Sequence, residues 1–387
     1  MPLIEQKACL DYIRNKFNHP TFFPKNKGVT IGLPNKFISP NRRIFNQDQF
    51  YWDTYFTIIG ALDLGKIKLS KGMVENLTYL YKKYGIIPSR NRFYNLGISQ
   101  PPFLTSMAFE VYEKTLDKTW LKKIILVAEN ELKSYWMKKT GAGNHLVTKN
   151  LSRYCDHNIT HSTAEQESGW DMTSRFKENC MHYLPVDLNS CLYKYETDLA
   201  RAFEILNDKE KQIKYLKNAK KREKEMRKLM WSEKRGFFFD YNYYSNKRAK
   251  FYSLAGFYPM WAKIATKKEA KKMIKQLKLF NAKGGLVNTQ KERLTPEYRQ
   301  WDYPNGWPCQ QFIVIEALNN YGYEKEAKRI AKKWINMNTK IFLETNKMWE
   351  KYDVTTMQIG KSGRYKTQYG FGWTNGVYIR LLKKYLK

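Results

Sequence analysis

The sequence is short of acid. Its 387 residues include 36 Asp and Glu against 69 Lys and Arg, a formal net charge of +33. A deficit of that size surrounds the chain with a positive field that attracts anionic polymers and surfaces. Diffuse charge alone, however, reads no nucleic-acid sequence. The densest basic run, "NDKEKQIKYLKNAKKREKEMRKLM" from Asn207 to Met230, interleaves Glu with Lys at helical spacing. Such a run makes ion pairs one turn apart on a solvated helix face. No helix-turn-helix, zinc-knuckle or single-strand-binding signature accompanies it. No specific nucleic-acid partner is expected.

Cysteine is scarce too. Five residues, Cys9, Cys155, Cys180, Cys191 and Cys309, are odd in number and widely spaced, with no Cys-x-x-Cys pair. That argues against a disulfide framework and a zinc site, and no metal or organic cofactor is implied. Long apolar runs are also missing, and the opening "MPLIEQKACLDYIRNKF" lacks the apolar core of a signal peptide. The expectation is a cytoplasmic protein without a membrane partner. No oligomeric state is assigned.

Aromatic residues are plentiful: 28 Tyr, 21 Phe and 11 Trp. A disordered chain would not carry them. Most serve a core, and the surplus suits a binding surface on which sugars can stack. Apolar residues return every three or four positions over 51–64, 70–83, 103–115, 119–137, 186–204, 208–230, 251–265, 268–277, 308–321, 323–344 and 372–386. No strand–helix alternation or short exact repeat is present. The pattern predicts an all-α ring of helical hairpins formed by residues 41–387, its loops gathered at one mouth. Residues 1–40 are expected to pack outside it as an extension.

Three loops place an aspartate directly after a tryptophan. In "QESGWDMTSRF" Asp171 follows Trp170, in "QFYWDTYF" Asp53 follows Trp52, and in "RQWDYPNGWP" Asp302 follows Trp301. A carboxyl beside an indole is partly desolvated, which favours its protonated form and suits a general acid. An aspartate at 171 would equally cap a helix beginning at Met172, so the residues alone leave both roles open. Three such pairs on one ring point to a pocket that stacks and hydrogen-bonds a neutral polyol.

The loops together resemble the trehalase family, inverting glycoside hydrolases with an (α/α)6 barrel. "FYWDTYFTIIGAL", "YGIIPSRNRFYNLGISQPPF", "ESGWDMTSRF", "PVDLNSCLYKYE", "QWDYPNGWP" and "YGFGWTNGV" follow one another in the family's order between Phe50 and Val377. The resemblance implies Asp171 as catalytic acid and a small carbohydrate such as trehalose as substrate. It places Trp52, Asp53, Ser99, Gln100, Gly169, Trp170, Trp301, Asp302, Trp307, Phe371 and Trp373 around the sugar.

One departure bears on the chemistry. Between Thr355 and Gly372 there is no acidic residue, and "SGRY" puts Arg364 where such enzymes carry the glutamate that activates water. Ser89 and Ile98 stand where asparagine and arginine are usual, and an expected Arg-Pro-Glu element is missing from "YCDHNITHSTAE". Three outcomes follow. Another acid, among Glu350, Asp353, Glu297 and Asp302, replaces the base. Or phosphate, carrying its own charge and held by Lys361, Arg364 and Lys366, replaces water, making a phosphorylase or a phospho-sugar enzyme. Or the site binds glycan with little chemistry. Arg364→Glu is expected to raise glucose release if the base is missing; a fall would mean that Arg364 has been recruited to another role.

Overall fold

The computed structural model describes residues 4–141, 143–291, 299–363 and 365–386. Its helices are α1 (Ile4–Asn18), α2 (Tyr51–Asp63), α3 (Ile67–Tyr84), α4 (Leu104–Thr115), α5 (Lys118–Glu131), α6 (His161–Glu167) and α7 (Val186–Ile205), followed by α8 (Lys209–Met230), α9 (Tyr258–Trp261), α10 (Lys267–Ile274), α11 (Pro308–Asn320), α12 (Glu324–Thr345) and α13 (Gly372–Tyr385). Starts are written locally: Asp117 caps α5, Asp208 caps α8, and Thr266 with Glu269 forms a capping box on α10.

Six helices form a closed inner ring in the order α2, α4, α7, α9, α11, α13 and back to α2. The outer layer alternates with them along the chain as α1, α3, α5, α8, α10 and α12. Composition sorts the layers. Tyr51 to Leu62 of α2 are buried all round, whereas α8, the lysine-rich run, buries only Tyr215, Ala219, Arg222, Met226 and Met230. A helix apolar on every side belongs inside, and one with a single stripe belongs outside. The result is an (α/α)6 barrel.

Closure depends on two glycines. A Cβ on Gly376 would lie 2.1 Å from the Phe56 carbonyl oxygen, and one on Gly60 would lie 2.5 Å from Gly376. Only bare backbone lets the first and last inner helices approach so closely. Arg380 spans the same seam, reaching Asp63 at 2.6 Å and Glu110 at 2.9 Å.

Two helices escaped the periodicity, α1 and the short α6. The first lies within the expected extension, yet Cys9, Ile13 and Phe17 are buried in the same core as the inner helices, and Tyr12 packs edge-on against Phe342 of α12 at 5.2 Å. Residues 251–265 were expected as one helix, but only α9 and a preceding 3-10 turn form. Ser253 is bridged to Thr289 and Gly256 is pressed against Phe237, and the α-helix starts only at Tyr258, with Pro259 in its first turn. Short sheets brace the loops; the one that matters most joins Asn305–Gly306, Tyr352–Asp353 and Gln358–Ile359.

Glu131, at the end of α5, is buried among neutral donors: Tyr51 of α2 at 3.1 Å, Trp136 at 3.2 Å, and Tyr195 of α7. Burial pushes its carboxyl up to about 7 from 4.5, against those three donors. The fold therefore holds this proton more tightly than the unfolded chain does. Stability should fall as pH rises between those two values and then level off, by roughly 3 kcal/mol at most from this group. Urea unfolding of Glu131→Gln across that window should show a shallower decline than the unsubstituted chain.

Candidate active site

A cavity of about 360 Å³ opens at the loop end of the ring. Trp52, Trp301, Trp307, Phe371 and Trp373, all buried, form its aromatic floor. Trp301 and Trp307 stack face to face at 4.0 Å, and Trp52 meets Trp301 at 5.7 Å. Phe45, Phe50, Arg90, Asn95, Gln166 and Tyr365, each partly exposed, make the rim. Asp53, Asp171 and Glu350 add three carboxylates to the lining.

Asp53 sits in the first turn of α2. No side chain among the described residues hydrogen-bonds its carboxylate. Burial, followed by the charges of Glu350 and Asp171, raises its carboxyl well above the usual range. Gln100, also in the lining, accepts from the Trp52 backbone N–H at 3.3 Å and so fixes the turn that carries Asp53.

Asp171 stands on an irregular loop, not at a helix start. Met172 has φ +69°, and the next helical turn is Cys180–His182. The capping role is therefore not realised. The loop is held from several sides. Glu165 accepts from the backbone N–H groups of Met172 at 2.7 Å and Thr173 at 3.2 Å. Asp302 accepts from the Thr173 hydroxyl at 2.8 Å and the Ser174 N–H at 2.9 Å. Gln300 donates to the Asp171 carboxylate at 3.3 Å. Arg175, fully buried, forks onto Asp187 at the start of α7 and onto Asp240, with its guanidinium over Trp170. Burial pushes Glu165 up to about 7, opposed by those two N–H groups and aided by the Asp171 charge.

Three expected sugar contacts lie behind this wall. Ser99 turns away from the cavity, its hydroxyl donating to the Ile87 carbonyl at 2.7 Å. Trp170 is buried between Trp301 and Arg175. Asp302 faces the Asp171 loop with both oxygens engaged. Each is a brace, because its polar or aromatic surface is already used by the protein. The other expected contacts, Trp52, Asp53, Gln100, Gly169, Trp301, Trp307, Phe371 and Trp373, line the cavity, as do Ser89 and Ile98. Arg364 and Glu297 lie outside the described residues.

Glu350 was only one of four alternatives in the sequence, and the structure separates them. It is buried and lines the cavity, accepting from the Tyr365 hydroxyl at 2.5 Å and the Lys351 ammonium at 3.2 Å. Asp353 is bonded instead to Thr355 and Thr356 and does not line the cavity. The rim residues Phe45, Arg90, Asn95 and Gln166 were missed, since nothing in their local sequence marks them. Glu350 follows Trp349 without the Trp-Asp pattern that drew attention elsewhere. Among the described residues, no group of three or more His, Cys, Asp or Glu is placed to hold a metal ion, and no helix is long and apolar enough to cross a membrane.

The Trehalase family profile matches residues 7–168 and 156–386. The chain belongs to the trehalase family. It is 33% identical to a cytosolic neutral trehalase of Beauveria bassiana over 90% of this chain and 58% of that protein. Against the cytosolic neutral trehalase of Saccharomyces cerevisiae the figures are 32%, 91% and 57%. The chain thus spans less than three fifths of these relatives. The solved neutral trehalase of Saccharomyces cerevisiae superposes with a TM-score of 0.80 at 30% identity, over 97% of this chain and 79% of that one. A GH63 mannosylglycerate hydrolase from Thermus thermophilus shares the fold, with a TM-score of 0.72 at 16% identity over 98% of this chain and 99% of that one.

Gly169 shows how tightly this trehalase-family floor is built. Its φ is +72°, and a Cβ there would lie 2.6 Å from the Trp52 ring. Gly85 has φ +73° with open space around it. Gly85→Ala should cost only the backbone strain, about 1–2 kcal/mol. Gly169→Ala should cost about 1–3 kcal/mol more through overpacking, and shift the tryptophan fluorescence. Equal losses of Tm in the two variants would mean that Trp52 yields freely.

Proposed function

We propose that the chain, acting as one catalytic unit, hydrolyses an α-glucoside such as trehalose with inversion of configuration, and that Asp171 is the general acid. The observation that carries this reading is the Asp171 carboxyl, braced at the edge of a cavity with a tryptophan floor and two further carboxylates. A sugar ring stacked on that floor would offer its hydroxyls to Asp53, Gln100 and Ser89. Asp171 would give its proton to the glycosidic oxygen as the bond to the anomeric carbon breaks. Glu165, Gln300 and Asp302 serve by orienting the loop, since misplacing an acid by an ångström is costly in rate. The relatives' names support a small neutral carbohydrate as substrate and a cytosolic setting.

In the phosphorylase alternative, phosphate takes the place of water and is held by Lys361, Arg364 and Lys366. Lys361 and Lys366 are exposed and lie outside the cavity lining, which gives that reading less support. Trehalose incubated with and without inorganic phosphate separates the possibilities. Hydrolysis should release glucose in both conditions, and Asp171→Asn should reduce kcat by about 10²–10⁴-fold. Glucose 1-phosphate formed only with phosphate would make the chain a phosphorylase, and no product in either condition would leave a glycan-binding role.

A further inference from the structure

The mouth of the cavity carries a positive charge that cleavage of a neutral sugar does not require. We propose that Arg90 there seats an anionic group, a phosphate or a carboxylate, on the leaving half of the substrate. The chain then cleaves α-glucosides of phosphorylated or acidic alcohols more efficiently than trehalose. The inference rests on the hydrolase reading with Asp171 as the acid.

The first observation is position. The loop between α3 and α4 supplies Ser89, Arg90, Asn95, Ile98 and Gln100 to the lining, and none of them is an acid. The three carboxylates enter from elsewhere: the start of α2, the loop before α7 and the connection from α12 to α13. Arg90 stands on the rim with its side chain 22% exposed, whereas the tryptophans of the floor are buried. A glucose stacked on that floor leaves the other half of its substrate towards the mouth. Ile98 offers that half no side-chain hydrogen bond and Ser89 a single hydroxyl, so Arg90 is the strongest donor on this side.

The second is charge. Asp48, wholly buried, is shared between two guanidinium groups, Arg90 Nη1 at 3.3 Å and Arg92 Nε at 2.5 Å. One carboxylate against two cations leaves a net positive charge at the rim. The closer contact is with Arg92, so Arg90 is the less neutralised of the two.

The third is orientation. Arg90 Nε donates to Asn95 Oδ1 at 3.0 Å. The guanidinium lies over the rings of Phe50 at 5.3 Å, Tyr94 at 5.4 Å and Phe45 at 5.9 Å. Rings cover its faces, and its edge is left for a ligand. Among the described residues no acceptor is bonded to Nη2. The Nη2 hydrogens and the second Nη1 hydrogen make a planar fork that two phosphate or carboxylate oxygens fit. A lone sugar hydroxyl would use one of these donors and none of the charge.

The reaction balances with trehalose 6-phosphate as the example. Water's oxygen bonds to the anomeric carbon of the unmodified glucose as the bond to the bridging oxygen breaks. Asp171 protonates that oxygen, and glucose 6-phosphate leaves. The proton lost by water passes to solvent, from which Asp171 is reprotonated.

The test compares kcat/KM of the full chain for trehalose, trehalose 6-phosphate and the α-glucoside of glycerate. At least one of the two anionic substrates should exceed trehalose by about tenfold or more, and the better one identifies the anion. Arg90→Gln should cut that advantage by about 10–100-fold, mainly through KM. Salt gives a check that needs no substitution: raising NaCl from about 0.05 M to about 0.5 M should erode the same advantage. Trehalose cleaved as efficiently as both anions, or more so, would overturn the inference and leave the hydrolase reading intact. So would an Arg90→Gln variant that loses efficiency equally on all three, or an advantage that salt does not touch. A chain that cleaves none of the three sinks the hydrolase reading and this inference with it.

Discussion

The contact between α2 and α13 sets the rest of the molecule. These helices are far apart in sequence, and the barrel exists as a ring only because they touch. The touching faces are Gly60 and Gly376, where backbone meets backbone without an intervening side chain. Once the seam is closed, the loops preceding the inner helices converge at one end. That convergence puts Asp53 at the start of α2, Asp171 ahead of α7, and Trp301 and Trp307 ahead of α11 around a single cavity.

Acid is the limiting residue in this chain, and the fold uses much of it for bracing. Asp187 and Asp240 neutralise Arg175, Glu196 neutralises Arg222, and Glu110 with Asp63 holds Arg380. Breaking the Arg175 or Arg222 pair, both buried, from one side is commonly worth about 3–5 kcal/mol, because a bare charge is left behind. The remaining basic residues are largely solvated lysines on outer helices such as α8. Against that background, three carboxylates lining one cavity stand apart from the composition of the whole, and they explain why chemistry is sought there.

Much of the fold was legible because helical periodicity survives wherever one face is buried and the other solvated. It failed for α1, whose buried stripe is only Gln6, Cys9, Ile13 and Phe17, for α6, which is too short to show a period, and for residues 251–265, where tertiary contacts divided an apolar run. The cavity was legible where an unusual local pattern coincided with a lining position. Trp52–Asp53 and the Trp301 and Trp307 loop were found in that way. The same pattern overreached at Asp302 and Trp170, whose surfaces the protein uses internally. It passed over Arg90, Asn95 and Gln166, because residues reaching a rim from different loops carry no common local signature.

The sequence by itself determined the helical class, the order of the loops, their membership of one recognisable set, and the arginine at a position where a glutamate is expected. These are matters of residue identity and short-range spacing, which a chain displays without folding. Only the tertiary structure decided which carboxylates share the cavity. Glu350, Asp353 and Asp302 looked alike along the chain, and they differ in which neighbours had already claimed their lone pairs. The Thr173 hydroxyl that binds Asp302 from 129 residues away, and the enclosure that lets a carboxyl keep its proton, come into being only when the ring closes.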